Sequence, residues 1–175
     1  LANYRYSTVG LLTNVIGLDF GGENIAFQDL SFNLTFPTKK AGTITFFGVG
    51  GTGKNVFAAP RDSTEWETQA DRYDVNFTND MGAVGLTHTL PINERTMIRS
   101  VVASSAISSD RLGDIIDQDY NIERVEGDFY EEFRLSATSS VTHRLSERHV
   151  LSGGFFLSEL NYDLSSGDLS RDSTF

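Results

Sequence analysis

Within Phe27–Phe36, apolar and polar residues alternate strictly from Asp29 onward. Leu30, Phe32, Leu34 and Phe36 fall on one side, and Asp29, Ser31, Asn33 and Thr35 on the other. A period of two is the mark of a β-strand with one apolar and one polar face. The pattern returns over Phe129–Leu145. Phe129, Phe133, Leu135, Ala137, Val141 and Leu145 share one face, interrupted by Glu131, Ser139 and His143, while the other face from Tyr130 to Arg144 is polar almost throughout. Weaker strand signals lie at Asn3–Ser7, Thr43–Val49, residues 74–90 (Val84, Leu86 and Leu90 against Gly85, Thr87 and Thr89), Met97–Ser108 and Val150–Tyr162. About seven antiparallel strands joined next to next are expected, an all-β up-and-down meander.

The connections alternate in length. Pro37–Gly42, Pro91–Arg95 and Ser146–His149 read as tight turns, predicted to lie at one end of the sheet. Thr52–Tyr73, Ser109–Gly127 and the tail after Asn161 read as long polar loops at the other. Two short helices are predicted inside the long connections: Val9–Ile16, ending at Gly17, and a turn carrying Leu112, Ile115, Ile116 and Tyr120 at helical spacing behind Asp110.

Alternation alone does not separate a soluble sandwich, whose apolar faces meet each other, from a membrane barrel, whose apolar faces meet lipid. Length and loop sorting separate them. A tilted membrane strand needs about 9–11 residues, and the segments 27–36, 74–90 and 129–145 all reach that, whereas strands of soluble domains cluster at about 5–6 residues. Short turns at one end and long loops at the other is the rule for outer-membrane barrels. The chain is therefore expected to be part of the wall of a large transmembrane β-barrel, with a soluble sandwich as the remote alternative. The 13 phenylalanines suit an aromatic girdle, although cores use them too.

Charge adds little beyond exclusion. The formal net charge of −10 disfavours a nucleic-acid partner, and the absence of cysteine removes disulfides and thiolate metal sites. The acids gather in the long connections (Asp62, Glu65, Glu67, Asp71, Asp114, Asp117, Asp119), and the short turns carry Lys39, Lys40, Arg95, Arg144 and Arg148. The chain opens on Leu1 and stops at Arg171–Phe175 without a closing element. We read residues 1–175 as a partial barrel, with plug and N-terminal domain not present.

The runs Asn3-Tyr-Arg-Tyr-Ser-Thr8, Phe27-Gln-Asp-Leu-Ser-Phe32, Phe36-Pro-Thr-Lys-Lys-Ala-Gly42 and Phe46-Phe-Gly-Val-Gly-Gly51 resemble the barrel of Bacteroidota TonB-dependent outer-membrane receptors that carry a carboxypeptidase-regulatory-like N-terminal domain. Beyond about residue 80 the likeness is one of general style. The resemblance implies a plugged barrel of about 22 strands, outer-membrane localisation, and uptake of a bulky nutrient such as a siderophore, glycan or peptide. It implies as partners the TonB energy-transducing complex, reached through regions outside this sequence, the plug domain, lipid and a surface lipoprotein. The alternative is a non-transport or passive outer-membrane barrel: a porin, or a structural or adhesive protein.

No catalytic, cofactor or metal site is expected, and the chain is not read as an enzyme. Gly48-Val-Gly-Gly-Thr-Gly53-Lys54-Asn55 approaches a phosphate-binding loop. However, Asn55 stands where a hydroxyl must hold magnesium, and Pro60 interrupts the helix that would cradle phosphate. A glycine-rich strand end is the competing reading. Asp114, Asp117, Asp119 and Asn121 offer oxygens of the kind calcium takes, without EF-hand spacing; a solvated acidic loop is the alternative. His88, His143 and His149 read as turn or interface residues. Glu132 and Arg134, neighbours on the polar face of one strand, are candidate plug or lumen contacts through charge-assisted hydrogen bonds, against simple solvation. Trp66 is the candidate substrate-loop contact, against a bracing role within its loop.

Overall fold

In the computed structural model of the protein, residues 1–7, 23–117 and 119–168 are described. They form seven strands: β1 (Ala2–Tyr6), β2 (Glu23–Pro37), β3 (Thr43–Phe57), β4 (Tyr73–Asn93), β5 (Thr96–Ile116), β6 (Ile122–Arg144) and β7 (Val150–Asp168). The strands pair in chain order, each antiparallel to the next, as one sheet. The expected meander is thus observed, and the β2–β3, β4–β5 and β6–β7 turns share one end. The described residues make a single layer, not the two packed sheets of a sandwich. Among them no helix is long and apolar enough to cross a membrane, which says nothing of a barrel, since barrels cross with strands.

The turns follow from local chemistry. Between β2 and β3 the Thr38 amide donates to the Gly42 carbonyl at 2.8 Å, and the Thr38 hydroxyl accepts from the Ala41 amide at 3.0 Å. Gly42 closes the turn at φ 76°, where a Cβ would stand 2.2 Å from the Thr89 carbonyl oxygen. Only glycine satisfies both conditions. Pro91, which has no amide to give to a ladder, sits where the β4–β5 register shifts between Pro91 and Asn93.

The strands are longer than the sequence indicates. β3 runs through the glycine-rich segment to Phe57, β5 continues to Ile116, β6 starts at Ile122 and β7 reaches Asp168. The long loops predicted at Thr52–Tyr73, Ser109–Gly127 and after Asn161 therefore shrink, the first two to residues 58–72 and 117–121. The helix expected around Leu112–Tyr120 is instead the end of β5, with Leu112 opposite Gly127 and Ile116 opposite Ile122. In this part of the sheet both faces carry polar residues, so period-two contrast disappears although pairing continues. Cross-strand ion pairs mark its path: Arg111 to Glu126 at 2.7 Å, and Arg124 to Asp114. Val9–Ile16 lies outside the described residues.

Candidate functional site: an apolar band on one face of the sheet

Directly paired residues of an antiparallel sheet share a face, so the registers sort every side chain. One row reads Leu34, Phe46, Leu86, Val102, Ala137, Leu157 across β2 to β7, apolar on all six strands. The next row toward the long-loop end is Phe32, Gly48, Val84, Ser104, Leu135, Glu159, and the one after is Leu30, Gly50, Gly82, Ala106, Phe133, Asn161. Then the chemistry changes together on β2 to β6, at Gln28, Thr52, Asp80, Ser108 and Glu131, opposite Asp163 of β7, which has already turned polar at Glu159 and Asn161. Toward the short turns the band passes through Phe36, Ile44 and Phe155 to Leu90, Ile98 and Val141. Polar atoms inside it find one another: the Ser100 and Ser139 hydroxyls are 2.9 Å apart, and the His88 ring nitrogen lies 2.6 Å from the Ala41 carbonyl oxygen.

From Phe133 to Val141 the band covers about 27 Å of strand at ~3.4 Å per residue. Tilted about 40°, that is a height of about 21 Å, near the ~25 Å apolar belt of a membrane barrel. The band is uncovered, with Leu34, Leu86, Val102 and Leu135 each 42–54% exposed. The only buried apolar residues among those described are Ala59 and Ile116, both at the long-loop end. A chain of this size folding alone in water would normally enclose a core.

The opposite face at the same height is mostly small and hydroxylated on β2 to β6, with Ser31, Asn33, Thr35, Thr45, Thr87 and Ser136 among its residues, although Val49, Val101 and Arg134 also lie on it. Phe47 is its main aromatic on those strands and lies across from Gly85, where a Cβ would come within 2.5 Å of the ring. Phe32 covers Gly48 in the same way on the apolar face, at 2.6 Å. Each aromatic fills the space its cross-strand glycine leaves. On β7 the contrast breaks down: Phe156, Leu160, Tyr162 and Leu164 face the hydroxylated side, while Glu159 enters the apolar band.

Glu132 and Arg134 both lie on the hydroxylated face, joined at 3.2 Å, and the Tyr130 hydroxyl donates to Glu132 at 2.5 Å. Trp66 is in the 58–72 connection, where its ring nitrogen donates to the Pro60 carbonyl at 2.8 Å. Its ring lies 5.5 Å from the Arg72 guanidinium and 5.8 Å from the Tyr120 ring of the neighbouring loop. Arg72 also donates to the Ile116 carbonyl at 2.7 Å, and Tyr120 to the Ser63 hydroxyl at 3.0 Å. Trp66 thus braces two loops into one platform. Sequence reasoning missed Arg72 and Tyr120, since nothing in local spacing brings residues of two loops together.

Two carboxylates pin this platform. Asp62 accepts from the Thr64 amide at 2.9 Å, and Asp71 from the Thr68 amide at 2.6 Å. These backbone hydrogen bonds, with smaller help from the threonine hydroxyls, hold both below the usual carboxylate pKa. In the acidic loop, Asp114 pairs with Arg124, and Asp117 accepts from the Asp119 and Asn121 amides, both at 2.8 Å. Among the described residues no group of three His, Cys, Asp or Glu side chains is placed to hold a metal ion. His143 and His149 bond to the hydroxyls of Thr96 and Ser146 beside the short turns. The Gly48–Asn55 segment lies wholly within β3 and opens no helix.

No protein-family model, no curated protein and no solved structure matches this chain.

Proposed function

We propose that this chain is a stretch of the wall of a large transmembrane β-barrel in a bacterial outer membrane, its apolar band facing lipid and its hydroxylated face lining the lumen. The observation that carries this reading is the change to polar residues at one level on the five strands from β2 to β6. A level boundary across strands far apart in sequence is what a planar apolar medium demands of the face that meets it. The open edges at β1 and β7 then pair with further strands of the same barrel, because unpaired backbone groups are not tolerated in lipid.

The finer reading is a TonB-dependent transporter for a bulky nutrient: a siderophore, glycan or peptide. It rests on the resemblance carried by the Tyr4–Thr8 and Phe36–Gly42 segments. In it, Glu132 and Arg134 face the plug and the Trp66 platform meets incoming substrate. Membrane fractionation with uptake assays tests both levels. The protein should fractionate with the outer membrane, and uptake of its nutrient should stop when the proton-motive force is dissipated. Uptake that persists without the proton-motive force would make the barrel a passive pore. Recovery in the soluble fraction would overturn the membrane reading altogether.

A further inference from the structure

The hydroxylated face carries a cation that the sheet does not neutralise. Arg99 of β5 belongs to that face, directly across from Thr89 of β4. No acidic side chain stands in its row or in the next three rows toward the long-loop end. Asp29 and Glu132 occupy the fourth row, about 27 Å along the strands, and are already held by Arg5 and Arg134. Toward the short turns the adjoining row is Pro91, Met97, Thr142 and Ser152, without charge. The Arg99 guanidinium forms no ion pair with a described residue.

Arg99 lines a depression of about 300 Å³ with Asn33, Thr45, Thr87 and Thr89, while Phe47 and Val101 supply its apolar wall. Thr87 is only 9% exposed, yet its hydroxyl has no hydrogen-bond partner among the described residues. A buried hydroxyl left unpaired is unfavourable, so a partner from outside the wall completes it. Asn33 accepts from the Thr35 hydroxyl through its side-chain oxygen at 3.3 Å, which leaves its amide nitrogen to donate. One depression therefore gathers a guanidinium, an amide and two hydroxyls, all able to donate, with no carboxylate to receive them.

We propose that this depression binds a carboxylate, paired with Arg99, with the Thr87 and Thr89 hydroxyls donating to it and its apolar stem against Phe47 and Val101. The planar guanidinium matches a carboxylate with two parallel hydrogen bonds. A phosphate dianion would call for a second cation, and none lines the depression. That the carboxylate arrives through a lumen rests on the barrel reading; the chemistry of the depression does not. Two sources share that chemistry: an Asp or Glu side chain of a domain filling the lumen, and a free carboxylate passing through it.

Two arms on the intact protein in mild detergent test the site and separate the sources. In the first, isotope-labelled benzoate is titrated and followed by NMR. A free-carboxylate site gives saturable binding that weakens about tenfold or more in Arg99→Gln and in Thr87→Val, each removing a hydrogen bond to a charged group, and Thr87→Ser restores it. In the second, Arg99→Lys is treated with a carbodiimide, and mass spectrometry identifies what the amine has joined. A side-chain source gives a link to an Asp or Glu outside residues 1–175, in lower yield when Thr87→Val is added, and leaves no room for benzoate. Neither binding nor link, benzoate binding that survives Arg99→Gln or Thr87→Val, a link only to acids within residues 1–175, or inorganic phosphate binding more tightly than benzoate would overturn the proposal. The barrel reading fails separately: it falls if a probe at Leu135 is shielded from lipid, whatever binds beside Arg99.

Discussion

Glycine at two neighbouring positions of β4 should respond to the same substitution with opposite consequences. At Gly85 a new methyl would stand 2.5 Å from the Phe47 Cζ, 2.9 Å from its Cε1 and 3.0 Å from the Val102 carbonyl oxygen. The ring must swing away and the β5 backbone must yield, an overpacking cost of about 1–3 kcal/mol. At Gly82 the nearest atom is 3.9 Å away, on the Val49 carbonyl. There the methyl meets open space and only removes freedom from the unfolded chain, worth about 0.4–1 kcal/mol of added stability. Equilibrium urea unfolding of the reconstituted protein, followed by tryptophan fluorescence and heat-dependent gel mobility, measures both. Phe47→Ala in the Gly85→Ala background should recover part of the loss, as coupled neighbours do. Equal effects of Gly82→Ala and Gly85→Ala would refute the assignment of aromatic-over-glycine packing to the second site alone.

Three further outcomes follow from the geometry. Gly42→Ala, at φ 76° and against the Thr89 carbonyl, should destabilise the β2–β3 turn by more than about 1 kcal/mol, visible as faster hydrogen exchange at Thr38 and Thr43; unchanged exchange would contradict it. Asp62 and Asp71 have folded pKa values below the ordinary 3.8, so their stabilisation of the 58–72 platform is complete above that value and lost as pH falls through the lowered pKa. Trp66 fluorescence and protease sensitivity of the loop should therefore hold steady from neutral pH down to about 4 and change only below it; a transition near pH 6 would contradict the assignment. Lys54→Ala should leave function intact and ATP should not bind, since Gly48–Asn55 is continuous strand; magnesium-dependent binding by calorimetry would contradict this.

Much of the sheet was legible because one face of a strand in an anisotropic setting must differ from the other. β2 and the lower half of β6 declare their phase through Leu30–Phe36 and Phe133–Val141. Above the band both faces are polar, and Ser109–Gly127 therefore read as loop although Arg111, Asp114, Arg124 and Glu126 tie paired strands together. β7 was poorly phased for a different reason: Phe155 and Phe156 put aromatics on both faces. The polar row that bounds the apolar band was not readable at all. Asp80, Glu131 and Asp163 are aligned only by register across four strands, and Glu131 taken alone reads as a flaw in an apolar face. Trp66 stood out as the single tryptophan, but its partners Arg72 and Tyr120 required the contact between two loops.

Which face meets lipid is tested most directly by spin labels at Leu135→Cys and Ser136→Cys in the intact protein reconstituted in bilayers, where residues 1–175 contribute no competing cysteine. Leu135 lies in the band and is 44% exposed, and Ser136 points to the hydroxylated face. Oxygen, which concentrates in lipid, should relax the label at 135 strongly, while a water-soluble nickel chelate leaves it untouched and reaches the label at 136 more readily. A label at 135 shielded from both reagents, as inside a protein core, would contradict the membrane reading even with every strand and register as described.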